Sequence, residues 1–297
     1  MTDHLHSEAK KLLDHDIKDQ VHWLKTRKWF PYSTGQRALD TIDGMLNHPP
    51  THRMPSMLLI GQTNNGKTMI LEEALNRHPP RSVPTEDSDQ VPIIFLTMPP
   101  GPELRRFYTL ILAKIGAVHR PSDSTSRLES QVLTLLKAVG TRIVIIDELH
   151  NIADGKYHLQ RQFLNMLRFL SNELRISFIC AGTKKAVRTI QSDDQLANRF
   201  QPMILPEWRD GQDYRKFLYF LESTLPLTQP SLLYKSDIAP IILTIAERTV
   251  GEMISFVNEA TFVALANGAT KLTREHFDEA AYVSPSKRRA EAEKLAI

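Results

Sequence analysis

Two short stretches of this 297-residue chain combine residue types at spacings that chemistry could use. The first is Gly61-Gln62-Thr63-Asn64-Asn65-Gly66-Lys67-Thr68, preceded by an apolar run over residues 57–60 and followed by Met69, Ile70, Leu71 and Leu75. It fits the phosphate-loop pattern of glycine, four free positions, then Gly-Lys-Thr, set between a strand and a helix. Such a loop turns successive backbone N–H groups toward one point, and the helix behind it adds its partial positive charge, so a polyphosphate is the ligand it suits. Lys67 is expected to reach the β- and γ-phosphates of ATP, and the Thr68 hydroxyl to ligate Mg²⁺. The second stretch is Ile143-Val144-Ile145-Ile146 running into Asp147-Glu148. Four apolar residues ending in two acids suit a buried strand whose acids emerge at the C-terminal edge of a sheet, where ligands sit in open α/β folds. Asp147 would hold Mg²⁺ through water, and Glu148 would orient and polarise an attacking water. Together the two stretches predict hydrolysis of ATP to ADP and phosphate.

Those residues need a frame, and the apolar pattern predicts one. Short β-rich runs occur at residues 57–60, 91–97, 142–147, 176–181 and 202–205. Between them Leu104, Phe107, Tyr108, Ile111 and Ile115 follow helical spacing, as do Leu159, Phe163, Met166, Leu167, Leu170 and Leu174. This alternation predicts an α/β domain over residues 54–206, a five-stranded parallel sheet flanked by helices. Beyond Pro206 the strand pattern stops. Residues 214–224, 237–249, 252–267 and 273–283 read as helices, with Gly251 and Gly268 as breaks, giving an all-helical second domain over 207–284. Residues 285–297 contain Lys287-Arg288-Arg289 and read as a mobile basic tail. Residues 1–53 form an N-terminal helical extension in which 5–29 reads as one mainly charged helix. Its histidines, His4, His6, His15 and His22, lack a tight metal-ligand spacing.

Composition narrows the class. A single cysteine, Cys180, excludes a disulfide framework and a cysteine-based zinc site. No apolar run is long enough to span a bilayer, so no membrane partner is expected, and the polar N-terminus does not resemble a signal peptide; the cytoplasm is the expected compartment. The net charge of +3 neither announces nor excludes a nucleic-acid partner. It conceals a partition, however: a basic surplus lies over residues 98–206 and an acidic one over 207–297. Glycine is scarce, and two of the 12 stand in the phosphate loop.

The phosphate loop, Asp147-Glu148-Leu149-His150-Asn151, Leu170-Ser171-Asn172-Glu173-Leu174 and Gly182-Thr183 resemble the AAA+ ATPases. Within them they resemble the TniB/TnsC group, ATP-dependent regulators of DDE-transposase elements, and most nearly TniB, over about residues 20–285. The resemblance implies a helical lid after the sheet, Thr183 as a polar sensor of the γ-phosphate, and Arg199 as an arginine finger that reaches a neighbouring subunit's nucleotide. It also implies adenine contacts from the aromatics of residues 29–32. A finger acting in trans requires head-to-tail contacts, hence a homo-oligomer that closes into a ring or grows as a helical filament. One departure concerns the third lid helix: Gly251-Glu252-Met253-Ile254-Ser255 lacks the arginine many AAA+ lids carry, with Arg248 as the nearest substitute. The partners implied are double-stranded DNA, a DDE transposase and a TniQ-like targeting protein, in the bacterial cytoplasm at the nucleoid. Arg105, Arg106, Arg120 and Arg127, after Met98-Pro99-Pro100-Gly101-Pro102, are the candidate DNA contacts, and Lys184-Lys185 a second set. Phosphate contacts of this kind give sequence-independent, salt-dependent affinity. Two other functions share these features: an ATP-switched assembly scaffold with little hydrolysis, and an initiator or loader-type AAA+ protein of DNA replication.

Overall fold

A computed structural model describes residues 2–82, 89–120 and 122–295. In chain order the elements are α1 (Ser7–Lys11), a 3₁₀ turn (Leu12–Asp14), α2 (Ile17–Lys25), α3 (Ser33–Leu46), β1 (Ser56–Ile60), α4 (Lys67–Arg77), β2 (Ile93–Thr97), α5 (Leu104–Lys114) and α6 (Thr125–Ala138). Then come β3 (Ile143–Asp147), a 3₁₀ turn (Leu149–Asp154), α7 (Tyr157–Leu174), β4 (Ser177–Gly182), α8 (Lys184–Gln191), α9 (Asp194–Ala197) and β5 (Phe200–Ile204). The last helices are α10 (Gln212–Ser223), α11 (Ile238–Ile245), α12 (Val250–Ala266), α13 (Arg274–Glu279) and α14 (Pro285–Leu295). None of the described helices is long and apolar enough to cross a membrane.

The chain divides into two compact units. One, Thr34–Thr63 with Lys67–Leu205, is built on a parallel sheet of order β2-β3-β4-β1-β5. Parallel strands bury both faces, and β1, β3 and β4 are buried at every residue. Side chains alternate between the faces. Leu58, Ile60, Val144, Ile146, Phe178 and Cys180 share one core with Phe107 and Ile111 of α5, Val132 of α6 and Phe163 of α7. The intervening Met57, Leu59, Ile145 and Ile179 are equally buried outside that core, and α4 packs on β2 and β4. Pro202 lies in β5, the edge strand, where a missing N–H is tolerated.

The other unit comprises Met1–Ser33, Asn64–Gly66 and Pro206–Ile297. Its two terminal segments are stitched together: the Trp23 indole donates to the carbonyl of Thr224 at 2.8 Å, and the Asn258 amide to that of Leu24 at 2.9 Å. Phe30 packs on Phe217, Tyr32 on Trp208, and Trp208 on Phe217, with ring centroids 5.0–5.5 Å apart. The segment expected as one helix over 5–29 is interrupted at His15–Asp16, where the Asp16 carboxylate accepts from the backbone N–H of Asp19 and starts α2 afresh. Gly251, expected as a break, lies inside α12. A Cβ there would come within 1.9 Å of Asn64 Oδ1, so glycine is required by close approach rather than by a turn. The neighbouring Glu252 carboxylate accepts from Asn64, Tyr282 and Arg288. Burial works to raise its pKa, but those three hydrogen bonds hold it below the ordinary range. Arg288 belongs to α14, so residues 285–295 of the expected basic tail are helical, and 296–297 lie outside the described residues.

Glu222 anchors this unit. Its buried carboxylate accepts from the backbone N–H groups of Ser231, Leu232 and Leu233 at 2.6–2.8 Å. Glu222→Ala leaves three donors without their acceptor, and is expected to cost about 3 kcal/mol or more in denaturant unfolding.

Candidate functional site

The order of the strands decides what meets at the sheet's C-terminal edge. β4 lies between β1 and β3, with Ile60 in register with Gly182 and Ile146 with Cys180. The loop after β1, the acids ending β3 and Thr183 after β4 therefore emerge side by side.

Within the phosphate loop Asn64 and Gly66 take left-handed backbone angles, φ 60° and 84°, which curl the chain back before α4. Lys67 opens that helix and is 5% exposed. Its Nζ donates to the carbonyls of Gly61 at 3.0 Å and Gln62 at 2.8 Å. Burial lowers its pKa, opposed by the negative charges of Glu148 and Asp147. The next residue, Thr68, donates from Oγ1 to Asp147 Oδ2 at 2.6 Å, while the N–H of Glu148 donates to Asp147 Oδ1 at 2.8 Å. Both oxygens of this buried carboxylate are thus held. Thr68 Oγ1 and Asp147 Oδ2 are two adjacent hard oxygen donors, the chemistry Mg²⁺ prefers beside phosphates, so these residues fit that ion. No cluster of three or more His, Cys, Asp or Glu able to hold a metal occurs among the described residues.

Glu148 departs from the strand with φ 56° and ψ 36°, a left-handed conformation that turns it out of the sheet. Its carboxylate is 40% exposed, and Oε2 lies 3.1 Å from His150 Nε2. His150 Nδ1 is buried with no hydrogen-bond partner among the described residues. Asn151 donates to the carbonyl of Met98, and the N–H of Met98 to that of Asp147, so the exit of β2 is clamped to the acids. Sequence reasoning assigned no role to His150 or Asn151. Their nearness to Asp147-Glu148 was the available signal. Thr183 stands at the N-cap position of α8 without a side-chain capping bond and is half-buried, with Lys184 and Lys185 exposed beyond it.

The remaining candidates lie elsewhere. Arg199 precedes β5, at the N-terminal edge of the sheet, and donates to Asn172 Oδ1 at 2.8 Å. Arg105 and Arg106 stand in the first turn of α5, Arg120 before α6, and Arg127 in the first turn of α6, where Asp123 lies 3.4 Å away. Phe30 and Tyr32 are buried in the helical unit, and Arg248 is exposed there with φ 60°. The Thr68–Asp147 bond yields a direct test: Thr68→Val removes a donor from a buried carboxylate, and should lower stability by about 1–3 kcal/mol in thermal unfolding without nucleotide.

Comparison with known proteins places this geometry. The model of the bacterial TniB protein family matches residues 20–210. Among solved structures, the ORC2 protein of Aeropyrum pernix in its ADPNP–ADP complexes is similar with a TM-score of 0.64 at 14% identity, covering 91% of this chain and 71% of that one. The ORC1 protein of the same organism, in complex with DNA, gives 0.59 at 15% identity, covering 91% and 69%. The RuvB branch migration motor of Thermotoga maritima gives 0.50 at 13%, covering 86% and 72%. At these identities the likeness is one of fold, and the fold is that of the AAA+ ATPases. The chaperone protein ClpB of Meiothermus ruber is 27% identical over 153 residues, half of this chain but only 16% of that protein. The chain belongs to the bacterial TniB family.

Proposed function

We propose that this protein is an ATP-dependent regulator of DNA transposition. In this reading it binds and hydrolyses ATP, assembles head to tail on duplex DNA without strong sequence preference, and recruits or activates a DDE transposase at the target. The observation that carries the catalytic half is the convergence of Lys67, Thr68, Asp147 and Glu148 on one sheet edge, with Thr68 and Asp147 in hydrogen-bond contact. The transposition half rests on the TniB family match.

Each residue has a distinct task. The loop N–H groups and the N-terminus of α4 bind the phosphates, and Lys67 exchanges its carbonyl contacts for the β- and γ-oxygens. Thr68 and, through water, Asp147 would hold Mg²⁺, which would supply neutralisation of phosphate charge. Glu148 accepts a proton from the attacking water, and His150 fixes the direction of its carboxylate. Thr183 contacts the γ-phosphate from the side of β4. Arg199 stabilises the developing charge on a neighbour's nucleotide. Arg105 and Arg106, together with Arg120 and Arg127, contact DNA phosphates.

Two measurements check this reading. Lys67→Ala should weaken ATP binding at least about tenfold, while Glu148→Gln keeps the affinity and loses turnover by about 100-fold or more. Retained ATP affinity in the first, or retained turnover in the second, would overturn the catalytic assignment. ATPase activity per protomer should rise with protein concentration and with DNA. Arg105→Ala/Arg106→Ala should weaken DNA binding and reduce the log–log salt slope by about two. An unchanged slope would place these two arginines on a solvated face.

A further inference from the structure

The N-terminal edge of the sheet carries a feature that the catalytic edge does not use. Three adjacent strands, β4, β1 and β5, are each preceded by an arginine: Arg175, Arg53 and Arg199. Strand pairing brings the three together. The N–H of Ser56 donates to the Arg199 carbonyl, and Arg175 turns out of α7 with φ 52°, so its position is set by the helix end. The three side chains line one recess of about 440 Å³, completed by His52, Asn172 and Glu173.

The charges in this recess are poorly balanced. Among the described residues Arg53 and Arg175 form no ion pair, and the side chain of Arg199 bonds to neutral Asn172. Glu173 is the single acid in the lining. Burial, then the positive charges of Arg53 and Arg168, lower the pKa of Arg199, with Asp193 opposing. Gathering like charges is unfavourable unless a multiply charged anion joins them, and three guanidinium forks suit phosphate oxygens. The chain's own phosphate loop cannot supply that anion. It leaves the opposite end of β1, and a five-residue strand spans about 17 Å.

We infer that Arg53 and Arg175 act with Arg199 as a receptor for the polyphosphate of a nucleotide held in the phosphate loop of a second copy of this chain. The inference rests on the reading of Arg199 as a trans-acting finger and extends it to two residues that reading leaves out. A compact, end-on polyphosphate suits a recess of this size better than a duplex, whose phosphates are spread along a stiff rod. Arg53 and Arg175 bind and orient the phosphate chain from outside, while Arg199, partly buried, is placed for the terminal phosphate.

The test mixes full-length variants. Arg53→Ala/Arg175→Ala should bind a fluorescent ATP analogue in dilute solution within about twofold of wild type, which also reports that it folds. Its ATPase activity at assembling concentration should fall at least about tenfold. Adding excess Lys67→Ala protein, inactive itself but with an intact arginine edge, should restore most of that activity, because mixed contacts again present arginines to a working loop. Full activity in the double variant, or a loss that Lys67→Ala does not relieve, would overturn the inference. So would weakened duplex DNA binding with unchanged ATPase, which would assign the recess to nucleic-acid phosphates. Arg199→Ala, mixed in the same way, separates the two readings. If it is rescued and the double variant is not, the inference about Arg53 and Arg175 fails alone; if Arg199→Ala is not rescued either, the trans-acting reading fails with it.

Discussion

Burial on both faces governs everything the sheet can do. β1, β3 and β4 are enclosed at every residue, so the side chains along them are committed to packing until the last residue of β3, Asp147. Chemistry is exported to the strand ends. Because all the strands point the same way, the ends sort into two populations: chain exits on one edge and chain entries on the other. A single mixed-direction strand would have blurred that separation.

The two edges are unlike in charge and in order. At the exits, one lysine faces two acids, and the contacts are short and directional: Lys67 to loop carbonyls, Thr68 to Asp147, Glu148 N–H to Asp147. Lys67, Thr68 and Asp147 there already have partners that a phosphate or a metal ion could replace. At the entries, arginines stand beside one another with little to neutralise them. The first edge is organised in advance, which lowers the cost of aligning reactants. The second stores unfavourable charge that a polyanion would relieve.

Much of this was legible in the sequence. Each of the five strands falls within two residues of its expected start, because short apolar runs bounded by polar residues and joined by helical patterns have few other solutions. The phosphate loop and Asp147-Glu148 were legible for the same local reason: loop, lysine, threonine and acids each sit at the end of a predicted strand. What escaped was long-range. No local pattern tells that Trp23 will bond to Thr224, or that residues near the N-terminus will form one unit with the last ninety. Gly251 was legible as special but for the wrong reason, since a helix interrupted by a turn and a helix approached by Asn64 both call for glycine. Residues 285–297 read as a tail on the basic run Lys287-Arg288-Arg289, yet Arg288 gains Glu252 as a partner. The arginines before β1 and β4 were invisible as a set, since only the order β4-β1-β5 makes neighbours of residues 53, 175 and 199.

The backbone of Glu148 has a consequence for how this site can change over time. Left-handed angles cost an ordinary side chain about 1 kcal/mol or more, a cost that glycine escapes and asparagine feels less. In the proposed reading the position is therefore pulled two ways: backbone preference favours glycine or asparagine over glutamate, while activating a water needs a carboxylate. On that reading, variants chosen for thermal robustness alone would drift toward glycine here and lose the proposed base, with the phosphate loop left intact and turnover reduced.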